Sequence, residues 1–444
     1  MAQAAVLDGE GRRAHAGLGA GVVGLLALAI FINYVDRGNL ATAAPLIKDE
    51  LRLSNTQIGV LVSAFFWTYT PGQLLSGWLA EKINPYRTLT LGVALWSLAT
   101  AASGLATGFA ALFALRLVLG VGESAGFPCS SKLLAQHLPA HRLGAANGLI
   151  GVGLALGPAF GTLMGGLLMA RLGWRPVFIL FGLVSMLWLV PWRGATRRVS
   201  ITASARAGPP PPSFLTILKQ REAWGAGLGH LSANYAFYFV ISWLPLYLVK
   251  SRGFSLGQMA ELGGLLYVIY AISCQATGWL SDRWMATGAS ATLVRKSFII
   301  TAHVGIAGCM LGCAVGGPAT SIACLLVVGL FFGLSTPNLY IIGQTLAGRD
   351  AGGKWMGFQN CIGNITGIVG PIVTGYLIDR TGQFFAAFLM AAAVSLAGVI
   401  CWGVIIRRVE PVVWPDPAGL TLDLEGQSSL GGQPLQQGVR HRRG

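Results

Sequence analysis

Charged side chains are scarce in this chain. Asp, Glu, Lys and Arg make up 11% of its 444 residues, against about 25% in soluble domains. Hydrophobic residues make up 54%, and roughly 20 mostly apolar residues in a row are enough to cross a bilayer as a helix. This composition excludes an ordinary soluble globular protein and favours one that crosses the lipid bilayer many times.

The sequence also lacks the motifs of covalent chemistry. None of the seven cysteines has C-x-x-C or metal-ligand spacing, and the loops contain no nucleotide-binding motif and no nucleophile–base–acid set. We therefore expect no enzyme activity, no metal and no cofactor, with a proton gradient as the energy source. The net charge of +15 does not indicate nucleic-acid binding, because the basic residues form short clusters between apolar runs, as the positive-inside rule describes.

Twelve apolar runs predict an all-α membrane protein with twelve transmembrane helices. The predicted spans 1 to 12 cover residues 18–46, 55–80, 86–106, 108–136, 143–171, 174–193, 223–250, 256–286, 294–317, 318–347, 352–380 and 383–408. Outside them we predict a cytoplasmic N-terminal tail (1–17), a cytoplasmic linker (194–222) and a disordered cytoplasmic tail (409–444).

The distribution of basic residues predicts the orientation in the membrane. With both termini in the cytoplasm, the inner segments hold 22 of the 31 Lys and Arg residues and the outer loops hold seven. Inner loops of membrane proteins carry such an excess. We therefore expect a multi-pass protein of a bacterial cytoplasmic membrane, working as a monomer, with both tails inside.

Two short motifs occur once in each half of the chain. GWLAEK (77–82) closes span 2 and GWLSDR (278–283) closes span 8, while a Gly-Pro pair stands in both span 5 and span 11. The recurrence predicts two parallel six-helix repeats, over residues 18–193 and 223–408. The span ends supply the predicted gating residues, which could hold one conformation closed: Gly77, Glu81, Lys82, Arg87, Asp282 and Arg283.

Four ionisable residues lie well inside predicted spans: Asp36 and Arg37 in span 1, and Arg116 and Glu123 in span 4. Such residues are costly in a membrane and usually functional. Arg116 and Glu123 are seven residues apart and so share one helix face. Two structural ion pairs joining spans 1 and 4 are one interpretation. In the other, Asp36 and Glu123 carry protons, Arg37 binds a carboxylate, and Arg116 positions Glu123 or adds positive potential.

Polar side chains in the other spans complete the predicted substrate site. Any one of them is equally well explained by a hydrogen bond between helices. Asn360 and Asn364 are favoured because they lie four residues apart on one helix face. The predicted substrate-binding residues are Tyr34, Arg37, Tyr69, Tyr238, Gln275, Ser335, Asn338, Asn360 and Asn364.

Several of these segments carry a resemblance to a known family. They are INYVDRGNL (32–40), FWTY (66–69) with Gln73, the stretch from Arg116 through GESAGFP (122–128), SWLPLYL (242–248) and residues 360–371. Over residues 25–405 the chain resembles the anion:cation symporter branch of the major facilitator superfamily. Bacterial members include hexuronate, aldonate, tartrate and phthalate permeases, and animal relatives include sialin and vesicular glutamate transporters.

The resemblance implies proton-coupled uptake of organic anions. It places the span 1 arginine and the tyrosines on the substrate, and the acids of spans 1 and 4 on protons. Two features depart from the family pattern. Glu81 and Asn84 replace an aspartate and a glycine of the span 2–3 signature, and span 5 offers only Gly151, Gly153 and Leu154 where sugar-acid carriers place a polar contact. The second departure leaves room for a more apolar or aromatic carboxylate.

The sequence therefore predicts a symporter that imports a small organic anion with protons by alternating access. Protonation of Asp36 and Glu123 is expected to loosen their hold on Arg37, so that anion and proton load together. One alternative is efflux or exchange of another carboxylate or an amphipathic compound by the same fold. A membrane sensor that does not transport is a second alternative, and the short polar tail after Glu410 disfavours it.

Overall fold

A computed structural model describes residues 20–53, 55–204, 212–254, 256–381 and 383–414. All regular secondary structure in these ranges is helical. The α-helices are Ala20–Leu51, Asn55–Lys82, Pro85–Ser103, Phe109–Glu123, Gly126–His137, Leu143–Leu172, Trp174–Leu187, Leu189–Ser204, Phe214–Leu218, Arg221–Leu246, Leu256–Ala286, Ala291–Val315, Pro318–Thr381 and Phe385–Ile400. The predicted tail 1–17, residues 415–444 of the predicted C-terminal tail and residues 205–211 of the predicted linker lie outside the described residues.

Helix accounts for most of the described residues in each of the twelve predicted spans. Within the described ranges, seven helices are long and apolar enough to cross a membrane. Span 4 consists of Phe109–Glu123 and Gly126–His137. Spans 10 and 11 follow each other in Pro318–Thr381, which is interrupted at Gly348 with φ 64° and ψ −167°. This combination of φ and ψ is accessible essentially to glycine alone, so Gly348 allows the chain to reverse between the two spans.

The helix of span 6 runs further than its apolar stretch. Its last part, Leu189–Ser204, extends past residue 193 into the segment predicted as linker. No proline interrupts residues 194–204, and the Thr196 hydroxyl donates to the Trp192 carbonyl at 2.7 Å. The end of the protein that carries this segment, together with the loops after spans 2, 4, 8 and 10, is called the linker-side end below.

Glycines bring span 5 against span 1. A Cβ atom on Gly153, Gly157 or Gly161 would lie 2.5 to 2.6 Å from atoms of span 1, including the Tyr34 Cβ and the Val35 carbonyl oxygen. The spacing of four residues puts the three glycines on one helix face. Close backbone approach through small residues is the usual way in which membrane helices associate. This contact fixes the position of Tyr34 and of the charged pair that follows it.

At the end opposite the linker, an ion pair joins the first and sixth spans. Arg175 Nε lies 2.7 Å from Glu50 Oε1, and Trp174 Nε1 donates to Glu50 Oε2 at 2.6 Å. These hydrogen bonds hold the pKa of the Glu50 carboxyl below its usual range. Arg175 also donates to the Ala106 carbonyl at 2.6 Å. Three connections of the first half are thus tied together at this end.

Candidate functional site

A central cavity lies between the two halves of the protein. Its lining comes from spans 1, 2, 4 and 5 of the first half and from spans 7, 8, 10 and 11 of the second. The lining residues are Tyr34, Tyr69, Phe127, Leu154, His230, Ala233, Asn234, Phe237, Tyr270, Phe332, Ser335, Thr336, Leu339, Tyr340, Asn360 and Asn364. Five of them were predicted as substrate-binding residues: Tyr34, Tyr69, Ser335, Asn360 and Asn364.

Arg37 lies directly behind two of the cavity tyrosines. The carbon at the centre of its guanidinium is 4.4 Å from the ring centroid of Tyr34, 4.4 Å from that of Tyr69 and 4.9 Å from that of Phe65. Cations are attracted to the faces of such rings, most strongly where water is excluded. The Arg37 side chain is 13% exposed, so three aromatic rings hold the charge at the cavity wall.

The guanidinium of Arg37 has one edge occupied and one edge free. Its Nε lies 3.1 Å from Glu123 Oε2. Its Nη1 and Nη2 are buried and have no counter-ion among the described residues; the neutral hydroxyls of Tyr69 and Tyr238 lie beside the guanidinium and interact with it. Paired guanidinium N–H groups match the two oxygens of a carboxylate. The free edge is therefore suited to a carboxylate or another oxyanion.

The four charges predicted to meet do lie together, but only one pair is in close contact. Asp36 is 3% exposed, and neither of its carboxylate oxygens has a hydrogen-bond partner within the described chain. Its electrostatic neighbours are Glu123, the Thr100 hydroxyl and Arg116. Adjacent helical residues point about 100° apart, which explains why Glu123 holds Arg37 and Asp36 does not.

Arg116 was predicted either to position Glu123 or to add positive potential. Within the described residues it makes no ion pair, and its guanidinium lies 5.6 Å from the Phe65 ring centroid. It is 5% exposed and interacts electrostatically with both Glu123 and Asp36. Its contribution in this structure is positive potential, which was one of the two predicted roles.

The second half supplies polar groups to the opposite wall. Ser335 Oγ and Asn360 Nδ2 are buried in the lining without hydrogen-bond partners among the described residues. Asn364 is held on both sides: it accepts from the Tyr238 hydroxyl at 2.7 Å and donates to the Asn360 carbonyl at 2.8 Å. Buried polar groups are normally paired, so the unpaired ones on this wall are candidates for contact with a solute.

Four predicted substrate residues stand outside the lining: Arg37, which lies behind it, and three others. Tyr238 donates its hydroxyl proton to the lining residue Asn364. Asn338 donates to the Leu334 carbonyl of its own helix at 3.1 Å, and the Gln275 side-chain oxygen is buried without a partner among the described residues. The helical period shows which residues share a helix face, but not which face is turned toward the cavity. This explains why these residues were predicted to contact the substrate although they lie outside the lining.

The structure adds lining residues that the sequence did not single out. Most are aromatic or apolar: Phe127, Phe237, Tyr270, Phe332 and Leu339. Leu154 of span 5 also lines the cavity, at the place where the sequence departs from sugar-acid carriers. One added residue, His230, is ionisable. It was missed because a lone histidine in an apolar span has no pattern that distinguishes a binding group from a buried structural one.

At the linker-side end, a carboxylate from each half reaches the other half. Asp282 of span 8 accepts from the backbone N–H groups of Gly144 and Ala145 at 2.9 and 2.7 Å, and from Arg295 at 2.8 Å. Gly144 and Ala145 belong to the first turn of span 5. Free N–H groups and the helix dipole favour an anion at such a terminus. Asp282 therefore joins the halves here.

Glu81 of span 2 makes the equivalent contact in the other direction. It accepts from the Gly353 backbone N–H at 2.8 Å, near the beginning of span 11, and pairs with Lys132 of span 4. Lys132 also donates to the Arg349 carbonyl at 2.8 Å. A Cβ atom on Gly77 would lie 2.5 Å from the Gly353 carbonyl oxygen, so the backbones approach closely. The linker-side end is closed.

The predicted basic gating residues take no part in this closure. Lys82 lies over the Trp78 ring at 4.5 Å and Arg283 over the Trp279 ring at 5.3 Å, each within its own helix. The Arg87 side chain is exposed. Lys82 and Arg283 each follow an acid directly, and Arg87 lies at the beginning of the next span. All three therefore point away from the helix face that contacts the other half. The counter-ions of the two acids are Lys132 and Arg295 instead.

Replacing Asp282 by asparagine is expected to open the linker-side end more often. The change removes the charge that holds two backbone donors and leaves Arg295, 1% exposed, without its counter-ion. Cys274 is fully buried in span 8 and packs against Gly148 and Gly151 of span 5. Its rate of alkylation by a membrane-impermeant maleimide, read by mass spectrometry, should rise about tenfold, since charged hydrogen bonds are worth about 1.5–3 kcal/mol.

Arg283→Gln is the matched control for that measurement. Arg283 is the next residue in the same helix, and its contact is with Trp279 of that helix. Its replacement should leave the alkylation rate of Cys274 unchanged. Equal rates in the Asp282→Asn and Arg283→Gln proteins would show that Asp282 does not hold this end closed.

Comparison with known proteins agrees with the fold and with the predicted resemblance. A family model described as the Major Facilitator Superfamily matches residues 26–365 and 294–421. The chain is 30% identical over 414 residues to the hexuronate transporter of Bacillus subtilis strain 168, covering 90% of this chain and 96% of that protein. It is also 30% identical over 400 residues to a probable sulfoacetate transporter of Cupriavidus necator, covering 85% of this chain and 92% of the relative.

Among solved structures, the fold is similar to the crystal structure of the fucose:proton symporter of Escherichia coli. The TM-score is 0.65, with 15% sequence identity, over 87% of this chain and 98% of that chain. At this identity the likeness concerns the fold alone. From the family match, the two curated relatives and the helical fold, the chain belongs to the Major Facilitator Superfamily and is a multi-pass membrane transporter, not an enzyme.

Proposed function

We propose that this protein is a proton-coupled symporter that imports a small organic anion, a sugar acid or a related carboxylate, by alternating access. One observation carries the proposal: Arg37, directly behind the cavity tyrosines Tyr34 and Tyr69, uses its Nε for Glu123 and has no counter-ion among the described residues on Nη1 and Nη2. A buried cation with a free bidentate edge binds an oxyanion more readily than any neutral solute. The cavity is therefore built for an anion.

The ion pair between Arg37 and Glu123 supports coupling to protons. Glu123 is fully buried, and its second oxygen, Oε1, has no hydrogen-bond partner in the described part of the chain. A proton on Glu123 cancels the charge that competes for Arg37. An anion arriving on Nη1 and Nη2 then finds an uncompensated cation. Proton and anion thereby stabilise each other's binding, which is what symport requires.

Asp36 offers a second place for a proton. Its two oxygens are buried without partners among the described residues, next to the like charge of Glu123. Burying a carboxylate without a hydrogen-bond donor is costly, and a proton on either acid removes part of that cost. The structure changes the predicted mechanism in one respect: Asp36 acts on Arg37 through Glu123 and Arg116, since it has no direct contact with Arg37.

The names of the curated relatives support an organic anion as the solute. One relative is a hexuronate transporter and the other a probable sulfoacetate transporter. Both of these solutes are small oxyanions, and a single guanidinium edge accommodates a carboxylate or a sulfonate. On the basis of the positive-inside rule, we propose that the linker-side end and both termini face the cytoplasm of a bacterial cell, and that the protein works as a monomer.

Uptake into liposomes tests the proposed function. Purified protein is reconstituted into vesicles that are buffered at a higher pH inside than outside, and labelled glucuronate is added outside. We expect accumulation above the external concentration, and a protonophore should abolish it. Protein-free vesicles and vesicles without a pH difference are the controls.

A panel of aldonates, dicarboxylates and aromatic carboxylates extends the same assay. Uptake of one of these acids in place of glucuronate would support the proposal and name the solute class. Accumulation only with the opposite pH gradient would indicate exchange or efflux instead. Absence of pH-driven transport across the whole panel would contradict the proposed function.

A further inference from the structure

Two histidines are deeply buried in the second half, and their surroundings differ. His303 of span 9 is fully buried, its Nε2 accepts from Trp402 Nε1 at 3.0 Å, and its Nδ1 lies 3.1 Å from the Ser395 carbonyl oxygen. Both ring nitrogens are therefore engaged inside the protein. Such a pattern describes a structural residue that joins spans 9 and 12.

His230 of span 7 is 2% exposed, and its Nδ1 has no hydrogen-bond partner among the described residues. The ring lines the central cavity. A Cβ atom on Gly363 would lie 2.7 Å from the ring, and the Tyr340 ring stands edge-on to it with centroids 5.8 Å apart. These contacts fix the orientation of the imidazole. An oriented imidazole at a cavity wall, with a ring nitrogen that has no partner among the described residues, is suited to contact a solute.

The wall around His230 is polar but carries no formal charge. Asn360 Nδ2 and Ser335 Oγ line the same cavity without partners within the described residues. No charged side chain interacts electrostatically with His230 in the part of the chain that the structure describes. Unpaired amide, hydroxyl and imidazole groups suit a neutral partner that both donates and accepts hydrogen bonds. Hydroxyl groups have this property.

A row of aromatic rings leads from Arg37 to His230. The Arg37 guanidinium rests on Tyr34, whose ring centroid is 6.3 Å from that of Phe127. Phe127 in turn stacks on Tyr340 with centroids 4.8 Å apart and an interplanar angle of 4°, and Tyr340 contacts His230. Arg37 and His230 are thus the charged and the uncharged polar ends of one cavity wall that crosses from the first half to the second.

We propose that His230 binds the hydroxyl-bearing end of the anion whose carboxylate is held by Arg37, and so determines selectivity for hydroxylated over plain carboxylates. The proposal rests on the proposed function, because it requires an organic anion at Arg37. It adds a specificity residue and orients the solute, with the carboxylate toward the first half and the hydroxyls toward the second. Asn360 and Ser335 share this contact with His230.

The test compares two monocarboxylates of equal chain length, gluconate and its fully deoxygenated counterpart hexanoate. Binding of each to the purified full-length protein is measured by calorimetry in detergent. In the unmodified protein we expect gluconate to bind more tightly. His230→Phe keeps a flat ring between Tyr340 and Gly363 but removes its nitrogens. In this variant the ratio of the dissociation constant of hexanoate to that of gluconate should fall about tenfold, which is the effect of losing one buried hydrogen bond.

His303→Phe is the matched control. It removes the hydrogen bonds to Trp402 and Ser395, so it should lower the melting temperature but leave the ratio of dissociation constants unchanged. An unchanged ratio in His230→Phe, or an equal fall in both variants, would overturn the role of His230. If the unmodified protein binds hydroxylated acids but the ratio does not change in His230→Phe, the proposed function stands and the contact with His230 is excluded. If it binds no organic acid of the uptake panel, both proposals fail.

Discussion

Replacing Arg37 by lysine is expected to weaken binding of the transported anion by about a hundredfold. Lysine keeps the positive charge but offers a single ammonium group in place of a planar fork of donors. In the native protein Nε is engaged with Glu123, while Nη1 and Nη2 have no counter-ion among the described residues and lie behind the cavity tyrosines. One ammonium cannot serve both partners at these positions. The loss of two charged hydrogen bonds at the lower end of their usual range, about 1.5 kcal/mol each, corresponds to about a hundredfold.

The measurement is the dissociation constant of the anion identified by the uptake panel, determined by calorimetry on purified protein. Arg116→Lys is the matched control, because Arg116 is also a buried arginine of the first half but contacts the Phe65 ring instead of the cavity tyrosines. Its effect on affinity should be less than tenfold. Arg37→Ala should abolish binding and also leave Glu123 buried without its cation. Unchanged affinity in Arg37→Lys would remove Arg37 as the anion-binding group.

Replacing Glu123 by glutamine is expected to abolish accumulation driven by a pH gradient and to leave exchange intact. Glutamine has the shape of a protonated glutamate, so Arg37 remains free to bind the anion at any pH. The protein should then carry the anion in both directions without a proton. Gradient-driven accumulation should fall to the level of passive equilibration, while exchange of labelled for unlabelled anion should continue at a rate within about threefold of the unmodified protein.

Asp36→Asn is the companion variant for this experiment. Asp36 has no direct contact with Arg37, and its electrostatic neighbours are Glu123, Thr100 and Arg116. If both acids carry protons, Asp36→Asn should also reduce accumulation while sparing exchange. Full accumulation by Glu123→Gln would contradict the role of Glu123 in coupling. Loss of both accumulation and exchange would assign Glu123 a structural role as the partner of Arg37.

The fold could be predicted because each span is a long apolar run and the breaks between runs are polar. The charged cluster could also be predicted, since ionisable residues in spans are few and their cost is general. Sequence alone could not predict which acid contacts Arg37. That depends on the rotation of span 1, and glycines 153, 157 and 161 of span 5 set this rotation through their close approach.

The gate and the second binding subsite were predictable to different extents. The repeated motif identified Glu81 and Asp282, but their counter-ions Lys132 and Arg295 lie outside that motif and were not predicted as gating residues. In the structure both are buried counter-ions within helices. His230 and His303 were indistinguishable in sequence, because each is a single histidine in an apolar span. Only the structure distinguishes them: Trp402 and Ser395 surround His303, whereas the cavity lies beside His230.

At the linker-side end each half contributes a carboxylate that binds the other half, so the carrier rests with this end closed. Glu81 and Asp282 each hold a helix of the opposite half, so the two contacts break together when this end opens. A solute offered from the linker side meets an accessible cavity only in the fraction of molecules in which both are broken. Its apparent dissociation constant from that side is raised by the inverse of that fraction. Two buried carboxylates far from the cavity thereby make the half-saturation concentration differ between the two faces of the membrane.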